Sequence, residues 1–244
     1  MTKRKRADLL LVERGLFETR TRSQAAITAG LVTADGVPVR KASDEIATDA
    51  ALVAVPAHPW VSRGGLKLAA ALDHFGFDPG GDVCLDVGAS TGGFTEVLLA
   101  NGANRVYAVD VGHGQLHPRL RDDPAVVSLE STDIRKLNPS QFDDAPEFAT
   151  VDVSFISLKL VLPALDRLLR RPATLVALIK PQFEAGKANL KKGVVRDPAI
   201  HAAVCDDIAA FTTALGWNVA GIIRSPVEGG EGNREFLLGA TRAA

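Results

Sequence analysis

Four ionisable residues sit where a purely structural explanation is poor. Lys67 follows the stretch Ser62-Arg63-Gly64-Gly65-Leu66, and Asp152 interrupts the apolar run Thr-Val-Asp-Val-Ser-Phe. Lys180 ends the very apolar Leu-Val-Ala-Leu-Ile and precedes Pro181, and Glu235 stands at the head of Phe-Leu-Leu in the run Gly-Asn-Arg-Glu-Phe-Leu-Leu. Charges at the ends of buried strands are costly to desolvate unless they pair or act. A second chemical signal is DVGASTGGFTEVLL, residues 86–99, a glycine-rich turn between a buried strand and an amphipathic helix. Small residues let the backbone approach a ligand closely, and the helix N-terminus offers unpaired amide donors.

A dinucleotide turn wants glycine at its first, third and sixth positions, whereas Gly88, Ser90 and Gly93 occupy those places here. The third position fails. Asp86, two residues before Gly88, would crowd a pyrophosphate with negative charge but suits a methionine-type ammonium. The turn therefore favours S-adenosylmethionine, with Gly92 and Phe94 counted among its binding residues. Asp110, closing the run Arg105–Val109, is expected to accept hydrogen bonds from ribose hydroxyls. Asp133, in Ser131-Thr132-Asp133-Ile134, offers a carboxylate for an adenine amino group.

These residues need a frame. Candidate strands run over Val83–Val87, Arg105–Val109, Ala125–Leu129, Phe148–Val153, Ala173–Ile179, Trp217–Ile223 and Phe236–Leu238, with helices near 92–101, 112–122, 160–171 and 197–215. Alternating strands and helices, with buried runs rich in Val and Leu, predict an α/β fold built on a mainly parallel seven-stranded sheet covered on both faces. In such a sheet Asp152 and Lys180 emerge at the carboxyl ends of adjacent strands, where ligands bind. The segment from Pro181 to Asp197, with Lys187, Lys191, Lys192 and Arg196, is long for a connection and reads as a mobile basic flap. Ahead of all this, residues 5–55 read as two helices on a small sheet. One helix runs from Ala7 to about Gly15; another is capped by Thr21 or Ser23 and stops at Gly30; an Asp35-Gly36 hairpin and a strand at Ala51–Val55 follow. Pro56 and Pro59 mark a semi-rigid connector.

Composition excludes several classes. Hydrophobic residues make up 46% of the 244-residue chain and charged residues 23%, which is ordinary globular usage and no case for disorder. The two cysteines lack disulfide or metal-ligand spacing, so no metal is expected and a reducing cytoplasm fits. No apolar stretch approaches the roughly 18–20 residues of a spanning helix. The net charge of -1 hides an asymmetry: residues 1–41 hold nine Lys and Arg against four Asp and Glu. A basic N-terminal segment on an otherwise acidic protein points to a polyanionic partner.

The N-terminal stretch resembles the S4 RNA-binding module, through Arg6, Asp8 and Leu11, then Thr-Arg-Thr-Arg-Ser-Gln-Ala at 19–25, then Gly30-Leu31-Val32 and the Asp-Gly hairpin. The resemblance implies RNA contact by Arg20, Arg22 and Gln24, helped by Arg6 and Lys41, and Arg63 is added on the far side of the connector. Over nearly its whole length the chain resembles the TlyA family, often labelled haemolysins, whose methyltransferase domain belongs with the FtsJ-like ribose 2'-O-methyltransferases. Matching stretches are WVSRGGLKL at 60–68, DVGASTGGFT at 86–95, DVGHGQL at 110–116, DVSFISL at 152–158, LIKPQFE at 178–184 and GNREFL at 233–238. One departure is His113, where the resemblance leads one to expect tyrosine.

The resemblance implies an S4-like domain over 1–55, a linker over 56–63 and a class I, Rossmann-like methyltransferase domain over 64–244. It also implies S-adenosylmethionine as cofactor, ribosomal RNA or ribosomal subunits as partner, and a catalytic tetrad at Lys67, Asp152, Lys180 and Glu235. A ribose hydroxyl is a weak nucleophile, so methyl transfer needs a base beside it and alignment with the methyl group. Lys180 is the expected base, able to stand neutral because burial and Lys67 as a neighbouring cation disfavour its charged form, with Asp152 orienting it and Glu235 holding Lys67 or the ribose. Of two alternatives, a membrane-active haemolysin, suggested by the family label, finds no spanning helix, alternating barrel strands or strong amphipathic segment in this sequence, and a non-catalytic RNA-binding or ribosome-assembly protein is disfavoured by the intact tetrad and glycine turn.

Overall fold

The computed structural model describes residues 3–244, the side chain of Lys187 excepted. Two units emerge, Met1–Pro59 and Trp60–Ala244. In the first, β1 (Arg4–Arg6) leads into α1 (Ala7–Glu13) and α2 (Arg20–Thr28), followed by β2 (Val32–Ala34), β3 (Val37–Pro38), β4 (Glu45–Ala47) and β5 (Leu52–Ala54). β2 is the centre of an antiparallel sheet ordered β3-β2-β5, and β1 pairs with β4. Asp35 and Gly36 both take positive φ, the conformation a tight hairpin turn requires. Leu11, Phe17, Ile27 and Val32 pack into the unit's core.

Two expectations for this unit need correction. The cap of α2 is Thr19, whose hydroxyl accepts from the Arg22 amide at 3.3 Å; Ser23 is buried one turn inside the helix. β1 and β4 escaped the sequence because Arg-Lys-Arg and Glu-Ile-Ala carry no apolar alternation.

The second unit begins with α3 (Gly64–Phe75) and continues through β6 (Val83–Val87), α4 (Gly93–Ala100), β7 (Arg105–Val109), α5 (Pro118–Arg121), β8 (Val126–Leu129), β9 (Phe148–Val151), α6 (Leu158–Asp166), β10 (Ala173–Ile179), α7 (Pro181–Glu184), α8 (Pro198–Ala214), β11 (Asn218–Arg224) and β12 (Phe236–Arg242). Its seven strands form one sheet ordered β11-β12-β10-β9-β6-β7-β8, in which only β12 opposes its neighbours. The expected α/β fold with a mainly parallel seven-stranded sheet is what the chain adopts. Both faces are covered: Leu85, Tyr107, Leu162 and Ile208 pack on one, and Cys84, Leu68, Phe94 and Leu98 on the other.

Helix α3 was not expected, because Gly64-Gly65 opens it without a capping side chain and glycine disfavours helix. Burial of Leu68, Ala71 and Leu72 on the sheet supplies what propensity lacks. The helix expected over 112–122 shrinks to the four residues of α5. The carboxylate of Glu130 takes the backbone amides of Gly114, Gln115 and Leu116, which holds that stretch as a loop instead.

Candidate active site

Each member of the predicted tetrad leaves a different element. Lys67 is in the first turns of α3, Asp152 and Lys180 come directly after the parallel neighbours β9 and β10, and Glu235 immediately precedes β12. Because β12 runs antiparallel to β10 with Ile179 opposite Phe236, the start of one strand lies beside the end of the other. The four side chains meet. Lys67 Nζ donates to Glu235 Oε2 at 2.6 Å and lies 3.9 Å from Asp152 Oδ2, while Lys180 Nζ lies 2.5 Å from Asp152 Oδ1. Glu235 is 2% exposed, and both lysines are 9% exposed.

The order along this chain of charges is Glu235, Lys67, Asp152, Lys180, so two cations alternate with two anions. Of the two roles expected for Glu235, holding Lys67 or the ribose, the contact with Lys67 is made, and Asp152 meets the same ammonium from another side. Lys180 Nζ also donates to Ser154 Oγ at 2.9 Å, a contact that sequence reasoning missed. Next to it, Phe155 holds a left-handed backbone (φ 64°) and is 91% exposed, its ring centroid 5.0 Å from that of Phe183. A phenylalanine in that conformation is uncommon, and such strain collects at functional sites.

The glycine turn adjoins this cluster. A Cβ on Gly88 (φ 84°) would strike the carbonyl oxygen of Asp152, one on Gly92 (φ 92°) the side chain of Leu120, and one on Gly93 the hydroxyl of Ser62. These glycines are thus required by close packing within the protein. Ser90, with φ 47°, donates its amide to Asp110 Oδ2 at 2.8 Å, and the Gly112 amide donates to Oδ1 at 2.7 Å. Asp110 remains part exposed at the end of β7, with lone pairs to spare.

Of the expected cofactor contacts, Asp86 and Phe94 turn inward, and Asp133 is engaged locally. Asp86 is fully buried, with one oxygen accepting from Thr95 Oγ1 at 2.7 Å and the other from Thr150 Oγ1 at 2.8 Å, so it faces no ligand. Burial pushes its carboxyl up to about 6, against the two hydroxyl donors that favour the charged form. Phe94 is 3% exposed and packs in the core with Leu68 and Leu98. Asp133 caps the short turn Ile134–Lys136 and pairs with the Arg135 guanidinium at 2.6 Å, which holds its carboxyl down at about 2. Glu130, by contrast, was not foreseen at all.

In the first unit Arg6, Arg20 and Gln24 converge on one acid. Arg6 pairs with the buried Asp8 through Nε and Nη2, both at 3.0 Å; Arg20 adds a contact at 3.0 Å and Gln24 one at 2.8 Å. The Arg6 hydrogen bonds, with those of Gln24 and Arg20, hold the Asp8 carboxyl well below the usual carboxylate range. Arg22 is half-buried and Lys41 exposed; in the second unit, Arg63 is exposed at the N-terminus of α3.

The segment following Lys180 is more structured than a free flap. Glu184 accepts from Ser157 Oγ and the Leu158 amide; Val194 and Val195 are buried; Asn233 donates to Gly193 O and accepts from the Val195 amide; and His201 Nε2 lies 3.0 Å from Val195 O. Lys191, Lys192 and Arg196 stay exposed, and the Lys187 side chain lies outside the described residues.

A sequence model of the FtsJ-like methyltransferases matches residues 60–242. The chain belongs to that family. YqxC of Bacillus subtilis is 48% identical over 97% of this chain and 85% of its own length. The Mycobacterium tuberculosis protein named 16S/23S rRNA (cytidine-2'-O)-methyltransferase TlyA is 45% identical over 98% of this chain and 90% of its own. A solved structure of a hemolysin-labelled protein from Streptococcus thermophilus superposes with a TM-score of 0.78 at 43% identity, covering 100% of this chain and 90% of that one. Despite that label, no helix among the described residues is long and apolar enough to cross a membrane.

Proposed function

We propose that this family member transfers a methyl group from S-adenosylmethionine to the 2'-hydroxyl of a cytidine in ribosomal RNA, with Lys180 as the base. The observation that carries the reading is the Lys180 ammonium, 2.5 Å from Asp152 and 2.9 Å from Ser154, beside a strand-end turn built around Gly88 and Asp110. The cytidine and ribosomal parts rest on the M. tuberculosis relative and its name.

The donor set fits the cofactor. Asp110 offers unused carboxylate lone pairs to ribose hydroxyls, and the backbone of Gly88, Ser90, Gly92 and Gly93 would line the remainder. When bound, S-adenosylmethionine supplies an electrophilic methyl group. Asp152 and Ser154 fix the Lys180 Nζ so that, once neutral, its lone pair accepts the proton of the ribose hydroxyl. Lys67, anchored by Glu235, balances the Asp152 charge and keeps that carboxylate turned toward Lys180. Phe155 presents an open ring beside the base, a surface on which a splayed nucleobase can stack.

The first unit serves as an S4-like RNA-binding domain over residues 1–55, joined by the linker 56–63 to the methyltransferase domain over 64–244. Arg6, Arg20, Arg22, Gln24 and Lys41, with Arg63, supply phosphate contacts that give affinity and placement rather than choice of nucleotide. The test is transfer of labelled methyl to purified ribosomal subunits, with the product mapped by nuclease digestion. Label in a 2'-O-methylcytidine, lost with Lys180→Ala, is expected; label in a base, or full transfer by the variant, would overturn the reading.

A further inference from the structure

The loop after β7 is shaped by an acid that makes no contact with the tetrad. Glu130 directly follows β8, and its two oxygens take three consecutive backbone amides: Gly114 on Oε2 at 2.9 Å, Gln115 and Leu116 on Oε1 at 2.6 and 3.0 Å. Three amide donors on one carboxylate form a strong, charge-assisted clasp. The loop so held turns Gln115 back across Gly112, where a Cβ on the glycine would collide with the Gln115 amide nitrogen. From there Gln115 Oε1 accepts from Ser90 Oγ at 3.1 Å, while the Ser90 amide donates to Asp110. Two backbone bonds close the figure, from the Ser131 amide to Gly112 O at 2.7 Å and from the Thr132 amide to Asp110 O at 2.8 Å.

The ends of β6, β7 and β8 are thus stitched together through one carboxylate and one amide side chain. Within this stitch Ser90 sits in a strained left-handed conformation that Asp110 and Gln115 both fasten. We infer that Glu130 is a positioning residue for the cofactor pocket: acting through the 114–116 amides and Gln115, it pre-forms the Ser90–Asp110 cradle and so sets cofactor affinity without taking part in methyl transfer. The inference rests on the cofactor reading above. It predicts a separation of effects, since a pre-formed cradle lowers the ordering cost of binding while the Lys180–Asp152 geometry is built by β9 and β10.

The experiment is calorimetric titration of S-adenosylmethionine into the full-length protein and its Glu130→Ala, Glu130→Gln and Gln115→Ala variants, with kcat at saturating cofactor and the thermal midpoint measured alongside. Wild-type binding is measured first, and its absence would sink the cofactor reading and this inference with it. Given wild-type binding, Glu130→Ala is expected to weaken affinity about tenfold or more. Glu130→Gln should fall between, since one of its terminal atoms turns from acceptor to donor. kcat should stay within about twofold throughout, and a variant combining Glu130→Ala with Gln115→Ala should bind no more weakly than Glu130→Ala alone, as expected for residues acting in series. Unchanged affinity in Gln115→Ala, whose exposed side chain threatens no fold, would overturn the inference. So would a kcat loss at unchanged affinity, or single effects that multiply.

Discussion

Lys67 and Glu235, 168 positions apart in sequence, form a buried ion pair at 2.6 Å. Glu235 is the more enclosed of the two, so its removal leaves an ammonium with only Asp152, 3.9 Å away, as counter-charge. Glu235→Gln is expected to destabilise the protein by about 3 kcal/mol, and Lys67→Met added to it should restore part of that loss. Denaturant titrations of the single and double variants check this; a double variant as unstable as the sum of both singles would contradict the pairing.

Lys180→Ala should lower kcat by a factor of about 10² to 10⁴, the usual contribution of a positioned base. Cofactor affinity should be retained, because Lys180 lies outside the Ser90–Asp110 cradle. Single-turnover methyl transfer together with cofactor titration separates the two.

Asp86 predicts a specific pH signature. Its folded-state carboxyl sits near 6, above the ordinary 3.8, so its contribution to stability is complete below about pH 4 and disappears as pH rises through 6. Asp86→Asn has no such titration. The stability of the variant minus that of the wild type should therefore rise between pH 5 and pH 8, by on the order of 1 kcal/mol. A flat difference across that range would show that the carboxyl is not elevated.

Gly88→Ala should damage the turn and the tetrad at once, since the new methyl group meets the carbonyl of Asp152 at a positive φ. A displacement of Asp152 by about 1 Å is expected to cost about 10²-fold in methyl transfer. The thermal midpoint should fall as well. Wild-type activity in this variant would refute the close packing of β6 on the Asp152 segment.

Arg20 distinguishes an RNA contact from an internal ion pair. It is bonded to Asp8 through one nitrogen while 54% of its side chain stays exposed. If the free edge meets a phosphate, Arg20→Ala weakens RNA binding and reduces the slope of log affinity against log salt by about 1. Lower stability at an unchanged salt slope would assign Arg20 to the Asp8 cluster alone.

Much of this was written into local sequence. The strands Val83–Val87, Arg105–Val109 and Ala173–Ile179 were legible to the residue, because buried parallel strands are continuous apolar runs bounded by turn residues. The four tetrad positions stood out for a related reason: an ionisable residue beside such a run is conspicuous. What local pattern could not carry was direction and partner. Helix α3 forms against its own glycines because the sheet offers its apolar side a surface, and β1 with β4 pair through backbone rather than apolar pattern.

Asp86 and Phe94 read as ligand contacts because they lie in a ligand-binding turn, yet strand and helix direct both side chains inward, to two threonine hydroxyls and to the core. Glu130 gave no signal, because its partners are backbone amides that every sequence possesses. Fold class, most strand ends and the residue types gathered there were readable from local pattern. The tertiary structure settled which charges pair, that Glu235 meets Lys67, and which acid clasps the loop, since those contacts depend on side-chain direction and burial, whether 168 positions apart as for Lys67 and Glu235 or 16 as for Gly114 and Glu130.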